Sequence, residues 1–165
     1  MFKEGDFIIY GSNGVCQVEH IGSMDLQGVP GDKMYYTLVP VYEEKSRLFT
    51  PVDNHKVVMR PVISKKEACE LIDHMQEMQV FEIQNEKNRD TVFKEALKTG
   101  DCEELDRVIK TIYEKKQERK AQGKKVTAGD ERYFKLAEEH LYGELAIALG
   151  IEKDKVSSYI EKRIA

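Results

Sequence analysis

The stretch RPVISKKEACELIDHM, residues 60–75, contains the point at which the local pattern of the chain changes. Up to Ile63 the apolar residues come in short runs, whereas after it they follow a helical spacing. Ser64 and Glu67 have the spacing of a capping box, in which two side chains bind free backbone N–H groups at a helix start. The apolar residues that follow are Ala68, Leu71, Ile72, Met75 and Met78. The sequence therefore predicts that a helical region begins at Ser64.

The residues before this point have a pattern typical of an all-β module. They contain all four prolines of the chain, and their apolar runs are rich in β-branched and aromatic residues. The runs lie at residues 7–10, at Val15, Val18 and Ile21, and at residues 35–39, 48–50 and 57–59. Glycine, asparagine and aspartate between the runs indicate turns. Five short strands in so short a segment predict a small, strongly bent sheet or barrel.

The apolar residues after Ser64 predict a first helix that continues to Met78. Residues 82–90 are polar, and we expect them to link this helix to a second one. The apolar face of the second helix consists of Val92, Phe93, Ala96 and Leu97. Gly100 is a helix-ending residue and is expected to end it.

Three further helices are predicted in the C-terminal part of the chain. They are residues 102–122, a helix that Thr127 and Asp130 begin and Gly150 ends, and about 153–163. Asp101 and Glu104 offer a second capping box for the long helix, whose apolar stripe runs to Tyr113. The predicted fold class is α+β, with a small β-barrel domain over residues 1–63 and an all-α domain of about five helices over residues 64–165.

The overall composition is that of a soluble globular protein. The 165 residues are 41% hydrophobic and 34% charged, with a net charge of −4 at pH 7. No apolar run approaches the ~20 residues that span a membrane, and the N-terminus lacks the apolar core of a signal peptide. Cys16, Cys69 and Cys102 cannot all pair and have no C-x-x-C spacing. We therefore expect a cytoplasmic protein with reduced thiols.

Motifs that carry catalysis or bind metals are not found in the sequence. The four histidines are scattered, and none belongs to an H-E-x-x-H motif or a Cys/His cluster. The GSNG stretch at residues 11–14 follows a strand, but no Lys-Ser/Thr and no helix follow it, so it predicts a tight turn and not a phosphate loop. The sequence predicts no enzyme, no metal, no cofactor and no small-molecule substrate.

The charge of the chain is unevenly distributed. Residues 109–125 carry seven Lys or Arg and two Asp or Glu on an otherwise acidic protein. Lys115, Arg119 and Gln122 are expected to share an outer helix face, with Lys124 and Lys125 at the helix end. Such a stripe can bind a nucleic-acid backbone without reading its sequence. The alternative is a solvated helix face whose charges pair with one another at i, i+4 spacing.

The order of these features resembles the CarD family of bacterial transcription regulators, whose first module is shared with transcription-repair coupling factors. The matching segments are MFKEGDFIIYGSNGVCQVEHI, KMYYTLVP, SRLFTPVDN and RPVI in the first part of the chain. In the helical part they are ALKTGD, RVIKTIY, KKQER, TAGDER and YGELAIALG. The resemblance extends over residues 1–150, and its specificity lies in the order and spacing of the segments.

The resemblance implies a two-part adaptor. Its Tudor-like (SH3-like) N-terminal module is expected to dock on the β subunit of RNA polymerase, partly by adding to a sheet edge. Met24, Arg47 and Phe49 match positions near the docking edge of the family. Arg47 should face solvent and be free to pair with an acidic partner, whereas Phe49 can equally be a core residue.

The resemblance also implies that the helical domain lies against promoter DNA and alters the stability of the open complex. The expected DNA contacts are Lys87, Arg89, Lys94, Lys98, Lys124, Lys125 and Arg132. Family members that bind promoter DNA have a Trp before the second helix, but this chain contains no Trp, and Glu131 stands at a basic family position. DNA binding is therefore expected to be weak and dominated by backbone contacts. The alternative is a polymerase- or protein-binding adaptor whose helical domain does not bind DNA.

Overall fold

The computed structural model describes residues 1–23 and 33–165. Two compact units are present, Met1–Val62 and Ile63–Ala165, which we call the β-module and the helical unit. The division falls one residue before the boundary expected from the sequence. In the described part of the chain, a five-stranded antiparallel sheet forms the first unit and five α-helices form the second, which confirms the predicted α+β class. Within residues 1–23 and 33–165, no helix combines the length and apolar character that a membrane span requires.

The sheet of the β-module has the strand order β4-β3-β2-β1-β5. The strands are β1 (Phe7–Tyr10), β2 (Val15–Ser23), β3 (Met34–Pro40), β4 (Leu48–Pro51) and β5 (Met59–Pro61). The last strand begins at Met59 and not at the predicted residue 57. The reason is a loop in which the Asn54 side chain donates to the Val57 carbonyl (2.8 Å) and accepts from the Val57 N–H (3.3 Å).

Alternation of side chains along the strands builds the core of the β-module. Its buried residues are Ile8, Cys16, Val18, Tyr36 and Leu38. The Phe2 ring packs on the Tyr36 ring at 5.9 Å, and the Phe2 N–H donates to the Tyr36 hydroxyl (3.1 Å). Burial raises the pKa of the Cys16 thiol to about 12, so this cysteine stays protonated and unreactive.

The five helices of the second unit begin at side-chain caps or short turns. They are α1 (Lys65–His74), α2 (Glu86–Thr99), α3 (Cys102–Ala121), α4 (Ala128–Leu149) and α5 (Val156–Ile164). The predicted capping box of α1 is present, with Ser64 and Glu67 each accepting from the other's backbone N–H. Asp101 caps α3 through the N–H of Glu103, so Glu104 takes no part in a box. The α2 helix begins inside the predicted linker 82–90, because Asn85 accepts from the Lys87 N–H (3.0 Å).

A single hydrophobic core holds the helical unit together. Its fully buried large side chains include Phe93, Leu105, Ile112, Leu141 and Leu145. The α4 helix packs against all four other helices and supplies the centre of this core. The sequence wrongly placed Tyr113 in the apolar stripe of α3, since its side chain is 53% exposed.

The chain between α1 and α2 is fixed by two cations of α3. The Lys110 ammonium donates to the carbonyls of Met75, Gln76 and Met78. The Arg107 guanidinium lies 4.0 Å from the centre of the Phe81 ring. Lys110 belongs to the basic stripe of the sequence, but its charge is used to hold this segment.

Candidate polymerase and nucleic-acid interface

Strand β4 presents an aromatic side chain at one edge of the β-module. Leu48 and Thr50 point towards the sheet interior, whereas Phe49 between them is 52% exposed. Phe49 lies opposite Thr37 of β3, and β4 is the terminal strand of the sheet order. Phe49 is therefore a surface residue and not a core residue. An edge strand with an exposed aromatic offers both backbone hydrogen-bonding groups and an apolar anchor to a partner.

Arg47 lies just before β4 and is exposed, but it has a partner within the module. Its guanidinium contacts the Glu19 carboxylate at 2.7 Å and donates to the Glu44 carbonyl at 2.6 Å. Glu19 is the extra residue of a bulge in β2, because Val18 pairs with Leu38 and His20 pairs with Thr37. Such an exposed ion pair contributes little to stability, so a carboxylate of another protein can replace Glu19. The third predicted docking residue, Met24, lies outside the described residues.

Arg89, predicted from the sequence to contact DNA, is engaged inside the helical unit. Its guanidinium donates to both carboxylate oxygens of Asp130, each at 2.8 Å, and lies 5.0 Å from the centre of the Phe93 ring. The two charged side chains are only 12% and 8% exposed. This bidentate pair joins α2 to α4, which favours a structural role for Arg89 over a phosphate contact.

A second polar network lies where the same two helices meet. The Lys94 ammonium contacts the Asp90 carboxylate at 2.8 Å, and the Tyr133 hydroxyl donates to that carboxylate. These hydrogen bonds, that of Lys94 first, hold the pKa of Asp90 below its usual range. Arg132 lies beside them, with its guanidinium 5.2 Å from the centre of the Tyr133 ring. The structure thus brings the predicted residues Lys94 and Arg132 to one surface.

The other two candidates of α2 lie at opposite ends of the helix. Lys87 is in the first turn and Lys98 in the last, and the eleven steps of 1.5 Å between them correspond to about 16 Å along the helix. Both are exposed. Lys98 follows Lys94 by four residues, so the two side chains share one face of α2, about 6 Å apart along its axis.

The outer face predicted for α3 is not a row of free cations. Lys115 forms an ion pair with Glu86 at 3.7 Å, and the Arg119 Nε donates to the Lys125 carbonyl at 2.7 Å. Both side chains are half-buried. These contacts tie the long helix to the start of α2 and to the loop before α4.

Exposed lysines of the basic stripe and of α4 instead line a groove between α3 and α4. We call this groove the lysine groove. Its lysines are Lys116, Lys120, Lys124, Lys125 and Lys135. Its apolar lining consists of Ile112, Val126 and Phe134, and two carboxylates, Glu131 and Glu138, also line it. The volume of the groove is about 560 Å³.

Sequence reasoning identified only two of the five groove lysines, Lys124 and Lys125. Lys116 and Lys120 were missed, although they follow the buried Ile112 at steps of four and so continue the same helix face. That spacing is the signal that points to the groove. Lys135 was missed because only the packing of α4 against α3 brings it there.

One carboxyl group of α3 is buried without a full set of partners. Asp106 is 8% exposed, and its Oδ2 atom accepts no hydrogen bond from any residue that the structure describes. Burial raises the pKa of Asp106 to about 6, against a smaller opposing effect of the Lys110 charge. Within the part of the chain that the structure describes, no three His, Cys, Asp or Glu side chains form a group able to hold a metal ion.

Comparison with known protein families gives one match for each unit. A family model described as the CarD-like/TRCF RID domain matches residues 2–63. A second, described as the CarD C-terminal domain, matches residues 70–161. The two matches follow one another without overlap and together extend over most of the chain.

Proposed function

Since the chain belongs to the CarD family, we propose that it docks on the β subunit of RNA polymerase through its β-module and modulates promoter open complexes through its helical unit. The family assignment itself makes the protein an RNA polymerase-interacting transcription regulator in a non-catalytic family. The proposal adds the polymerase subunit, the surfaces and the step that is regulated.

The observation that carries the docking proposal is the edge strand β4 with its exposed Phe49. A sheet edge can be extended by a strand of another protein, and alternate side chains then give specificity. Phe49 supplies an apolar anchor, since burying such a side chain contributes about 1.5–3 kcal/mol. Arg47 lies on the same outer face two residues earlier and can exchange Glu19 for a carboxylate of the polymerase.

The DNA-contacting part of the proposal rests on exposed cations of the helical unit. The set consists of Lys87, Lys94, Lys98, Lys124, Lys125 and Arg132, and it leaves out the buried Arg89. Without a Trp to enter an opened base step, these residues contact phosphates only, which gives weak and salt-sensitive binding. Docking on polymerase compensates for this weakness, because tethering raises the effective DNA concentration towards the millimolar range.

The docking proposal is tested by measuring the affinity of the full chain for purified polymerase β subunit. Phe49→Ala is expected to weaken binding about tenfold or more, as for loss of a buried apolar anchor. Tyr113→Ala is the matched control, since Tyr113 is an aromatic residue of the helical unit with nearly the same exposure, 53% against 52%. Arg47→Glu is expected to weaken binding by charge reversal. Unchanged affinity in both β-module variants contradicts docking through β4.

A second candidate is an adaptor whose helical unit does not bind DNA. It is favoured by the absence of Trp and by Glu131, which puts a negative charge among the groove lysines. A salt titration of duplex binding by the full chain separates the candidates. Each phosphate contact contributes a log–log slope of about −0.9, whereas an adaptor without DNA contacts shows no salt-dependent binding.

A further inference from the structure

The lysine groove is lined by apolar side chains as well as lysines, and contacts with phosphates would involve only the lysines. Ile112 at its base is 1% exposed, and Phe134 and Val126 beside it are half-buried. Lys116 and Lys120 rise from α3 on one side, and Lys135 lies on α4 on the other. We propose that the groove is a binding site for a small organic anion with an aromatic or aliphatic body.

The apolar side chains of the groove, which we call its floor, favour a ligand with an aromatic or aliphatic body. A nucleic-acid backbone presents mainly charged phosphates and polar sugars to a protein, whereas an aromatic ring or alkyl chain removes the half-buried Val126 and Phe134 from water. The groove volume, about 560 Å³, lies within the roughly 300–1,000 Å³ typical of small-molecule sites. The steps of four from Ile112 to Lys116 and Lys120 place this floor and the cations on one helix face.

The charges of the groove select the anionic group. Five lysines face two glutamates, so the lining has an excess of three positive charges. Within residues 1–23 and 33–165, none of these lysines lies within 4.0 Å of a carboxylate, in contrast to Lys94 and Lys115. An ammonium group without a carboxylate partner, beside an apolar floor, is available to a carboxylate, sulfonate or phosphate ester of a bound ligand.

A bound anion would also affect the proposed DNA contacts. Lys124 and Lys125 line the groove and belong to the set of cations assigned to DNA. An occupied groove therefore lowers DNA affinity. This competition rests on the proposed function, whereas the ligand site does not.

The probe for the site is 1-anilinonaphthalene-8-sulfonate, an aromatic body with one sulfonate, titrated into the full chain. Its emission reports binding, and ¹H–¹⁵N spectra locate it through the amides of the groove. Saturable binding is expected, with amide shifts centred on Val126 and Phe134. N-phenyl-1-naphthylamine, which lacks only the sulfonate, is expected to bind about tenfold more weakly, as for loss of a charged hydrogen bond.

Two groove variants and one control test the contributions of the apolar side chains and of the lysines separately. The double variant Lys116→Gln/Lys120→Gln removes two of the positive charges that line the groove. Val126→Asp places a carboxylate among the apolar side chains of the groove, at a loop position. Each is expected to weaken binding of the sulfonate about tenfold. Lys65→Gln with Lys66→Gln, on the exposed first turn of α1, is expected to leave it unchanged. Thermal melts show that each variant is folded, and Val126→Ser replaces Val126→Asp if that variant is not.

Several outcomes overturn the proposal. The first two are the absence of saturable binding of the sulfonate and amide shifts centred outside the groove. The others are equal affinity for the sulfonate and its neutral analogue, and equal affinity of the Val126 variant and the wild type for the sulfonate. Displacement by millimolar sodium sulfate shows a bare anion site instead. A 20-base-pair duplex is titrated in the same way. If it shifts the amides of Val126 and Phe134 and binds the Val126 variant more weakly than the wild type, the groove is a nucleic-acid surface. Failure of the duplex to bind contradicts only the proposed DNA contact.

Discussion

The junction of α2 with α4 and the lysine groove both contain several basic side chains, but they use them in opposite ways. At the junction, Arg89 and Lys94 each contact a carboxylate, and Arg89 is almost fully buried. In the groove, the lysines are exposed, and no carboxylate of residues 1–23 and 33–165 lies within 4.0 Å of them. The buried charge of Arg89 therefore stabilises the fold, whereas the exposed charges of the groove lysines are available for binding.

The largest expected effect comes from breaking the junction. Asp130→Ala leaves the Arg89 charge buried without a partner, which typically costs about 3–5 kcal/mol of the free energy of unfolding. Urea denaturation of the full chain measures this loss. Glu131→Ala, at the adjacent exposed position, is the control and is expected to change stability by less than about 0.5 kcal/mol. Similar losses in the two variants would contradict a structural role for the Arg89–Asp130 pair.

The next effect has the opposite sign and concerns the buried carboxyl group of α3. Asp106→Asn removes a charge that the fold desolvates, and we expect it to raise the free energy of unfolding by about 3 kcal/mol at pH 8. Because the folded pKa is raised from 3.8 to about 6, wild-type stability from this group falls as pH rises through that window. The advantage of the variant should therefore be complete above pH 6 and vanish near pH 4. A pH-independent difference in paired urea titrations would contradict this origin.

A smaller effect is expected at the start of α4, which holds Asp130 in place. The Thr127 hydroxyl accepts from the Asp130 N–H at 3.2 Å, and Thr127→Ala should cost about 1 kcal/mol of unfolding free energy. Thr127→Ser retains the hydroxyl and should cost little. The two variants are compared by thermal and urea unfolding. Equal losses would show that the methyl group, and not the cap, matters.

The smallest expected effect concerns two lysines of the groove. Lys124→Gln with Lys125→Gln removes two exposed charges that have no carboxylate partner among the described residues, so stability should change by less than about 0.5 kcal/mol. The measurement is urea unfolding at low and at high salt. A loss of several kcal/mol would show that these lysines stabilise the fold as Arg89 does.

Local signals made part of this structure predictable. The capping box of Ser64 and Glu67 and the cap of Thr127 involve residues three apart, and the sequence alone located both. Strand β5 was misplaced by two residues because the Asn54 side chain holds the preceding segment as a loop. Such a side-chain contact leaves no period in the sequence.

The candidate site was less predictable, because its charges are sorted by distant contacts. Arg89 and Asp130 are 41 residues apart, so nothing near Arg89 indicates that its charge is buried. Lys115 was predicted to lie on the outer face of α3, either binding a nucleic-acid backbone or pairing within its own helix, but it contacts Glu86 on another helix. Only tertiary packing distinguishes the paired cations from the lysines of the groove.

The central claim is that exposed cations of the helical unit act on promoter DNA once the β-module is docked on polymerase. The measurement is the lifetime of a promoter open complex with the wild-type protein and with Lys124→Glu/Lys125→Glu/Arg132→Glu, each at saturating occupancy of polymerase. We expect that the wild-type protein changes the lifetime and that the variant, although bound, does not. Equal lifetimes with both proteins bound would contradict the DNA contact and favour the adaptor.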